Sequence, residues 1–357
     1  MTAETRRDHL KGLVSGEGVR FATTPILLPT APYFDLAGEE FGARLILAVG
    51  ADGSEFCLRP DFTLPIAMSH IAAGAATPAA YGYLGPIFRQ RSDGPAEFDQ
   101  AGLEFLAHPD AEAAFAGVLD FARAALALYG ARETRLRFGS VALFEALLAE
   151  CDMPEVWRPR IRARFGHPEA LERLLDRLSA PHAPAAGPQG MKREEIEDWV
   201  AELMLTNGLS VNEGRSPGEI VERYLEKQAL DAAQVPAKTI ALLRAYLALA
   251  GEAGPTLDAV ETLARENGIA LSDALEAARA RADQLRAGNG NIVFDAGFSP
   301  RLDYYTGVVF EITDRDGAVL ASGGQYDLLL TRLGAEGEVP AVGCAVWVDR
   351  LEAEARR

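Results

Sequence analysis

The distribution of strand-forming segments limits this chain more than any other feature. They lie on both sides of residues 151–288 and not within that block. On the N-terminal side, "ARLILAV" and "EFCLRP" flank "GADGS", and "YGYLGPIFRQ" and "EFDQAGLEFL" flank "RSDGPA". Apolar runs separated by Gly, Asp and Ser are hairpin signals, and hairpins make antiparallel sheet. "TRLRFGS" adds a strand after the amphipathic helix "DAEAAFAGVLDFARAALALYG", which Gly130 closes, and the helix "VALFEALLAE" follows it. On the C-terminal side, "NIVFDAGF", "GVVFEITD", "AVLASGG" and "AVGCAVWV" return to strand character and run into a terminal helix. Residues 151–288, rich in Ala, Leu, Arg and Glu at helical period, read as a mainly helical insertion, with "SAPHAPAAGPQG" as a loop inside it. Residues 1–150 and 289–357 then form one discontinuous α+β core, an antiparallel sheet flanked by helices.

Composition removes several function classes. A net charge of −17 opposes polyanions over most of the surface, so no nucleic-acid footprint is expected. Cys57, Cys151 and Cys344 are far apart and form no CxxC pair. Together with five scattered histidines and no HExxH spacing, they give no basis for a disulfide framework or a metal site, and they fit a reducing cytoplasm. The polar N-terminus has no apolar core for a signal peptide, and no apolar run is long enough to span a bilayer.

Polar residues recur where sheet packing alone would not ask for them. "LRPDFT" sets Arg59, Asp61 and Thr63 at alternate positions, which share a face if the strand is regular. "FRQR" supplies Arg89 and Arg91, and "FDQAGLE" supplies Gln100 and Glu104 four apart. "LDYYTGVVFE" places Tyr304 and Tyr305 at the mouth of a strand, facing opposite ways if strand geometry extends to them. "SGGQYD" adds glycines that leave space above a sheet. Asp61, Gln100, Glu104 and the tyrosine hydroxyls form an acceptor set suited to a ligand with an ammonium and a second NH-bearing group. An unpaired buried carboxylate costs several kcal/mol, about enough to demand such a partner. Each residue also has an ordinary reading as a partner for its neighbours or the backbone, and spacing alone does not bring them together.

These segments in this order resemble the catalytic core of class II aminoacyl-tRNA synthetases, in the histidyl-tRNA synthetase branch. "LRPDFT", "YGYLGPIFRQ", "FDQAGLE", "LDYYTGVVFE", "SGGQYD" and "VPAVGCAVWVDRL" carry the resemblance across most of residues 20–357. It implies a class II synthetase-like fold and a histidine site of Asp61, Thr63, Arg89, Gln100, Glu104, Tyr304 and Tyr305. By resemblance, Asp61, Thr63 and Gln100 hold the α-amino group and Glu104 and Tyr305 hold the imidazole.

The chain departs from that pattern where ATP and tRNA would bind. Arg91 stands where the synthetases have the Glu of FRxE, Pro300 where they have an activating Arg, and Gln325 where they have Arg. Arg301 replaces a Gly and has the wrong strand parity to stand in for the missing Arg. Trp347 replaces the Gly beside adenine, while Arg350 remains, and the chain ends without an anticodon-binding module. This combination resembles the regulatory subunits of ATP phosphoribosyltransferase. It implies a short-form catalytic subunit as partner, L-histidine as ligand in a feedback role, and a homodimer within a larger hetero-oligomer, pairing around "PILLPTAPYFD". It implies no catalytic residue, cofactor, metal, nucleic acid or membrane. The alternatives are a synthetase paralogue that binds histidine for another purpose and an active histidine–tRNA ligase.

Overall fold

The computed structural model describes all residues except 37–38, 92–93, 181–187, 189–190, 208–215, 288–291 and 301. The chain divides into two compact units. One holds residues 1–150, 165–168 and 244–357; the other holds 151–164 and 169–243.

The first unit is built on nine strands. In chain order these are β1 (Val19–Phe21), β5 (Ala79–Phe88), β6 (Glu97–Leu106), β7 (Arg135–Ser140), β8 (Ala250–Glu252), β9 (Ile292–Asp295), β10 (Val308–Thr313), β11 (Val319–Gln325) and β12 (Ala341–Trp347). Their order is β1-β5-β6-β12-β11-β10-β7-β9-β8. The remaining three, β2 (Leu27–Pro29), β3 (Leu47–Val49) and β4 (Glu55–Leu58), make a separate small sheet in the order β2-β4-β3. The hairpins read from sequence are present, β3–β4 in the small sheet and β5–β6 in the large one. The large sheet corrects the all-antiparallel expectation: β1 runs parallel to β5, and β9 parallel to β7. Both parallel pairs join segments that no hairpin connects, so turn signals could not report them.

Strand alternation separates the two faces of the sheet. Phe310 is fully buried and meets Phe115 of helix Ala111–Leu128 edge-on at 6.1 Å, while its neighbour Glu311 lines a cavity on the opposite face. That helix buries Phe115, Val118, Leu119 and Ala122 along one stripe, and Asp110 caps it by accepting from the Ala113 N–H at 2.9 Å.

The insertion is shorter than the expected 151–288. Helices Ala253–Glu266 and Ser272–Arg286 belong to the first unit, where they pack beside β9. Their apolar stripes, including Leu257, Val260, Leu275 and Leu285, are buried. Helical period shows that such a stripe exists, not which surface it covers. The second unit has its own core: helix Arg193–Thr206 sets Ile196, Val200 and Met204 with Val221 of helix Pro217–Ala232. The loop expected at "SAPHAPAAGPQG" lies almost wholly outside the described residues. Among the described residues, no helix is long and apolar enough to cross a membrane.

Because Phe310 fills the contact between sheet and helix, Phe310→Ala is expected to destabilise the fold by about 3–5 kcal/mol. A urea titration reads this as a lower midpoint, and an unchanged midpoint would refute the packing assignment.

Candidate binding site

The cavity floor is a row of cross-strand partners. Arg137 of β7 pairs with Glu311 of β10, which pairs with Ser322 of β11. Ser322 pairs with Ala345 of β12, then Gly102 of β6 and Tyr83 of β5. The parallel row two residues along passes from Gly324 through Gly343 to Glu104. Only glycine fits at two of these places. A Cβ on Gly343 would stand 1.5 Å from Glu104 Oε2, and one on Gly102 would stand 2.3 Å from the Tyr83 hydroxyl. The missing side chains make room for the Glu104 carboxylate and the Tyr83 ring within the sheet face.

All seven residues singled out from sequence line this one cavity of about 920 Å³: Asp61, Thr63, Arg89, Gln100, Glu104, Tyr304 and Tyr305. Gln100 and Glu104 sit on the cavity face of β6, with 3% and 2% of their surface exposed. Thr63 Oγ1 donates to Glu104 Oε1 at 2.7 Å, and the Tyr326 hydroxyl donates to Oε2. Asp61 and Gln100 differ in kind. Both carboxylate oxygens of Asp61 and Oε1 of Gln100 are buried without a hydrogen bond of normal geometry. Native structures rarely leave such acceptors unpaired.

Burial raises the Asp61 carboxyl from 3.8 to about 6, although the Arg89 guanidinium pulls it down. Burial likewise raises Glu104 from 4.5 to about 7 against the hydrogen bonds from Tyr326 and Thr63, with the Asp61 charge adding to the rise. Arg89 is half-buried, and desolvation lowers it to about 10, opposed chiefly by Asp61. Desolvation also raises the Tyr304 and Tyr305 phenols, which stay protonated as donors near neutrality.

Two local expectations are corrected. Strand β4 ends at Leu58, and Thr63 opens helix Thr63–Gly74, so Arg59, Asp61 and Thr63 do not share a strand face. Arg59 is absent from the cavity lining. Its guanidinium donates to Pro86 O and Thr24 O, both at 2.6 Å, and lies over the Phe62 ring at 4.1 Å. Tyr304 and Tyr305 do not face opposite ways, because β10 begins only at Val308 and both tyrosines occupy the turn before it. Their ring centroids are 4.9 Å apart, and both rings wall the cavity.

"SGGQYD" holds that turn in place. Thr306 N donates to Gln325 O at 2.9 Å, Val308 N donates to Gln325 Oε1 at 3.3 Å, and a Cβ on Gly307 would strike that oxygen. On the other side, His167 Nε2 lies 3.6 Å from Asp303 Oδ1. Gly166, at φ +84°, packs so closely on Ser299 that a Cβ would stand 2.9 Å away. Arg301 lies outside the described residues.

The rest of the cavity is cationic and aromatic. Arg91 donates to Asp349 and to Pro95 O, with its guanidinium 3.9 Å from the centre of the Phe98 ring. Trp347 lines the same region with Arg350 over its ring at 5.6 Å, and Arg350 donates to Val319 O at 2.7 Å. Sequence reasoning did not assign Tyr326, Tyr83, Arg137 or Glu311 to the site. Tyr326 stood in a motif read for its glycines and for Gln325, and strand parity with Gln100 and Glu104 carried no information across strands. Among the described residues, no group of His, Cys, Asp and Glu could hold a metal ion.

The family model described as Histidyl-tRNA synthetase matches residues 2–185 and 222–351, so the fold is that of the histidyl class II synthetases. A regulatory subunit/histidyl-tRNA synthetase from Bacillus halodurans C superposes with a TM-score of 0.67 over 99% of this chain and 79% of that one, at 21% identity. A histidine–tRNA ligase subunit from Alicyclobacillus acidocaldarius gives a TM-score of 0.58 at 26% identity, covering 99% of this chain and 93% of that one. In sequence, the ATP phosphoribosyltransferase regulatory subunit of Sinorhizobium medicae is 39% identical over 94% of this chain and 93% of its own length. That of Brucella anthropi is 37% identical over 92% and 91%. The chain belongs to the family of ATP phosphoribosyltransferase regulatory subunits.

The raised carboxyls predict a pH dependence. A carboxyl whose folded pKa is raised contributes stability below its unfolded pKa and loses it as pH rises through the folded value. The ligand-free fold should therefore lose stability from about pH 4 to about pH 7 through Asp61 and Glu104. Glu104→Gln removes one of the two titrations. Its urea midpoint, relative to wild type, should rise between pH 5 and pH 8, and a difference that does not change with pH would refute the assignment.

Proposed function

We propose that this chain is a cytoplasmic, non-catalytic regulatory subunit that works with the short-form catalytic subunit of ATP phosphoribosyltransferase in the first step of L-histidine biosynthesis. Its cavity binds L-histidine as the feedback signal. The observation that carries the ligand is the pair of buried acceptors on Asp61 and Gln100 that lack a hydrogen bond of normal geometry, beside the hydrogen-bonded Glu104. Histidine supplies what they lack. Its ammonium suits Asp61, Gln100 and Thr63, its imidazole NH suits Glu104 beside Tyr305, and its carboxylate suits Arg89. Tyr304 completes the wall.

Aminoacylation is disfavoured by the other end of the cavity. Arg91 is tied to Asp349 and stands in place of a glutamate, and Trp347 occupies a position where a nucleotide base needs open space. The exposed apolar residues Ile26, Leu27, Leu47 and Val49 on the small sheet support a homodimer within a larger hetero-oligomer.

Calorimetry should show histidine binding and no ATP binding. Binding should release protons near pH 6–7 as Asp61 and Glu104 ionise, so affinity should rise with pH through that window. Glu104→Gln should weaken histidine by about 1–3 kcal/mol, the range for losing a charged hydrogen-bond partner. In phosphoribosyl-ATP assays with the catalytic subunit, this variant should keep basal activation and lose feedback sensitivity in step. A variant with wild-type histidine sensitivity would remove Glu104 from the site.

Feedback also requires histidine to favour the low-activity arrangement, and the coupling must be reciprocal. Hydrogen exchange on the complex should therefore change with histidine at 61–63, 100–104 and 298–308. Protection confined to the first two stretches would leave the pocket standing and rule out the tyrosine turn as the relay.

A further inference from the structure

Tyr33 carries a buried hydroxyl that the cavity lining does not include. It lies on helix Ala31–Leu36, is 2% exposed, and its O–H has no hydrogen bond of normal geometry. A buried tyrosine usually finds a partner for its hydroxyl, and packing alone would be served by phenylalanine. The group this hydroxyl faces is the Asp61 carboxylate, whose two oxygens also lack a hydrogen bond of normal geometry. A donor and two acceptors thus lie together inside the protein, each short of a well-formed bond.

Tyr33 is held on the side of Asp61 away from the cavity. Its N–H donates to Thr30 O at 3.0 Å, and its ring stacks on Phe41 at 6.3 Å with 19° between the planes. Phe41, 4% exposed, also carries the Arg89 guanidinium over its ring at 5.4 Å. One aromatic ring therefore supports both groups that favour a charged Asp61: the Arg89 cation in the cavity wall and the Tyr33 O–H behind it.

The charges around this pair agree with that arrangement. Burial raises the Asp61 carboxyl to about 6, and Arg89, the Leu64 N–H and the Tyr33 hydroxyl oppose the rise. Burial and then the Asp61 charge raise the Tyr33 phenol, opposed by Arg59, so it stays a donor near neutrality. The other titratable groups that act with Asp61 are Glu104, the Tyr83, Tyr304 and Tyr305 phenols and the Cys57 thiol. The phenols and the thiol are raised by burial and stay neutral near pH 7, which leaves Arg89 and Glu104 as the charges that share the site with Asp61.

We infer that Tyr33 is a positioning residue for the ammonium end of the site: with histidine bound, its hydroxyl donates to Asp61 from behind and holds that carboxylate toward the ligand. This rests on the proposed function, since it takes L-histidine as the ligand. An ionised carboxylate has about four acceptor sites and an ammonium has three donors, so a ligand on the cavity side alone leaves Asp61 under-satisfied on the other. Tyr33 lies in "PILLPTAPYFD", so a segment expected at a dimer contact also serves the pocket.

The test is calorimetry of L-histidine on the full chain, wild type and Tyr33→Phe, at pH 6 and pH 8. Phenylalanine keeps the ring on Phe41 and removes only the O–H. Affinity should fall about tenfold at pH 6, the low end for losing a hydrogen bond to a charged group. Without the donor Asp61 is harder to ionise, so the loss should be smaller at pH 8 and the rise of affinity with pH should move upward. The circular dichroism spectrum should match wild type. Wild-type affinity at both pH values overturns the inference, and so does an equal loss at both, which marks a packing effect. If the variant does not fold, a structure of the wild-type chain with histidine decides. The Tyr33 hydroxyl should then stand about 2.5–3.0 Å from an Asp61 oxygen. A hydroxyl turned away from Asp61 while histidine is bound overturns the inference and leaves the proposed function intact. A wild-type chain that binds no histidine overturns the proposed function and this inference with it.

Discussion

The Glu104 carboxylate is the constraint around which the cavity is arranged. It sits on a central strand, 2% exposed, and its position is possible only because β12 offers a glycine directly opposite. Thr63 and Tyr326 then bring two donors from separate parts of the chain onto its two oxygens. Burying a charge with partial compensation is costly, and the rise of this carboxyl to about 7 reflects that cost. Asp61 adds a second buried carboxyl whose oxygens have no hydrogen bond of normal geometry. Two acids held this way make a poor packing solution, and the proposed ammonium ligand would offset that cost.

The same sheet face carries the opposite character at its other end. There the guanidinium groups of Arg91 and Arg350 are already engaged, with Asp349 and Val319 O respectively, and aromatic rings sit against them. One end of the cavity thus holds acceptors without a hydrogen bond of normal geometry, and the other holds cations already engaged. Binding without chemistry needs no more than this: a ligand whose charge the site completes, with no second reactant brought within reach of it.

The legible parts of this fold were those that local chemistry decides. Hairpin turns, the capped helix Ala111–Leu128 and the four-residue spacing of Gln100 and Glu104 are encoded within a few residues of each other. Convergence was legible only through the order of the motifs, since spacing within one strand says nothing about its neighbours. Arg59 shows the limit. It sat in the same alternating pattern as Asp61 and Thr63, yet the end of β4 turned it into a stitch between the loop at Thr24 and strand β5 at Pro86. Tyr304 and Tyr305 failed a parity rule for the same reason, because the rule holds only inside a strand and these residues precede one. Gly343 gave no sign in sequence that it leaves room for a particular carboxylate 239 positions earlier in the chain.

The way the chain crosses between its units bears on the proposed role of the tyrosine turn. Residues 165–168 belong to the first unit, and the chain on either side of them, 151–164 and 169–243, forms the second. Within the first unit this short segment touches the approach to the turn twice, through Gly166 against Ser299 and through His167 beside Asp303. Gly166 cannot acquire a side chain there, since both its positive φ and the Ser299 contact exclude one. Tyr304 and Tyr305 follow Asp303 directly. A ligand that orders the tyrosines would therefore act beside a segment covalently joined at both ends to the second unit. Energetic coupling needs an element with two arrangements that both sites bias, and proximity alone does not supply one. The turn qualifies better than the strands do, because it is fixed by a few bonds to Gln325 and not by a ladder, so a few kcal/mol of ligand contact is about the scale needed to shift it.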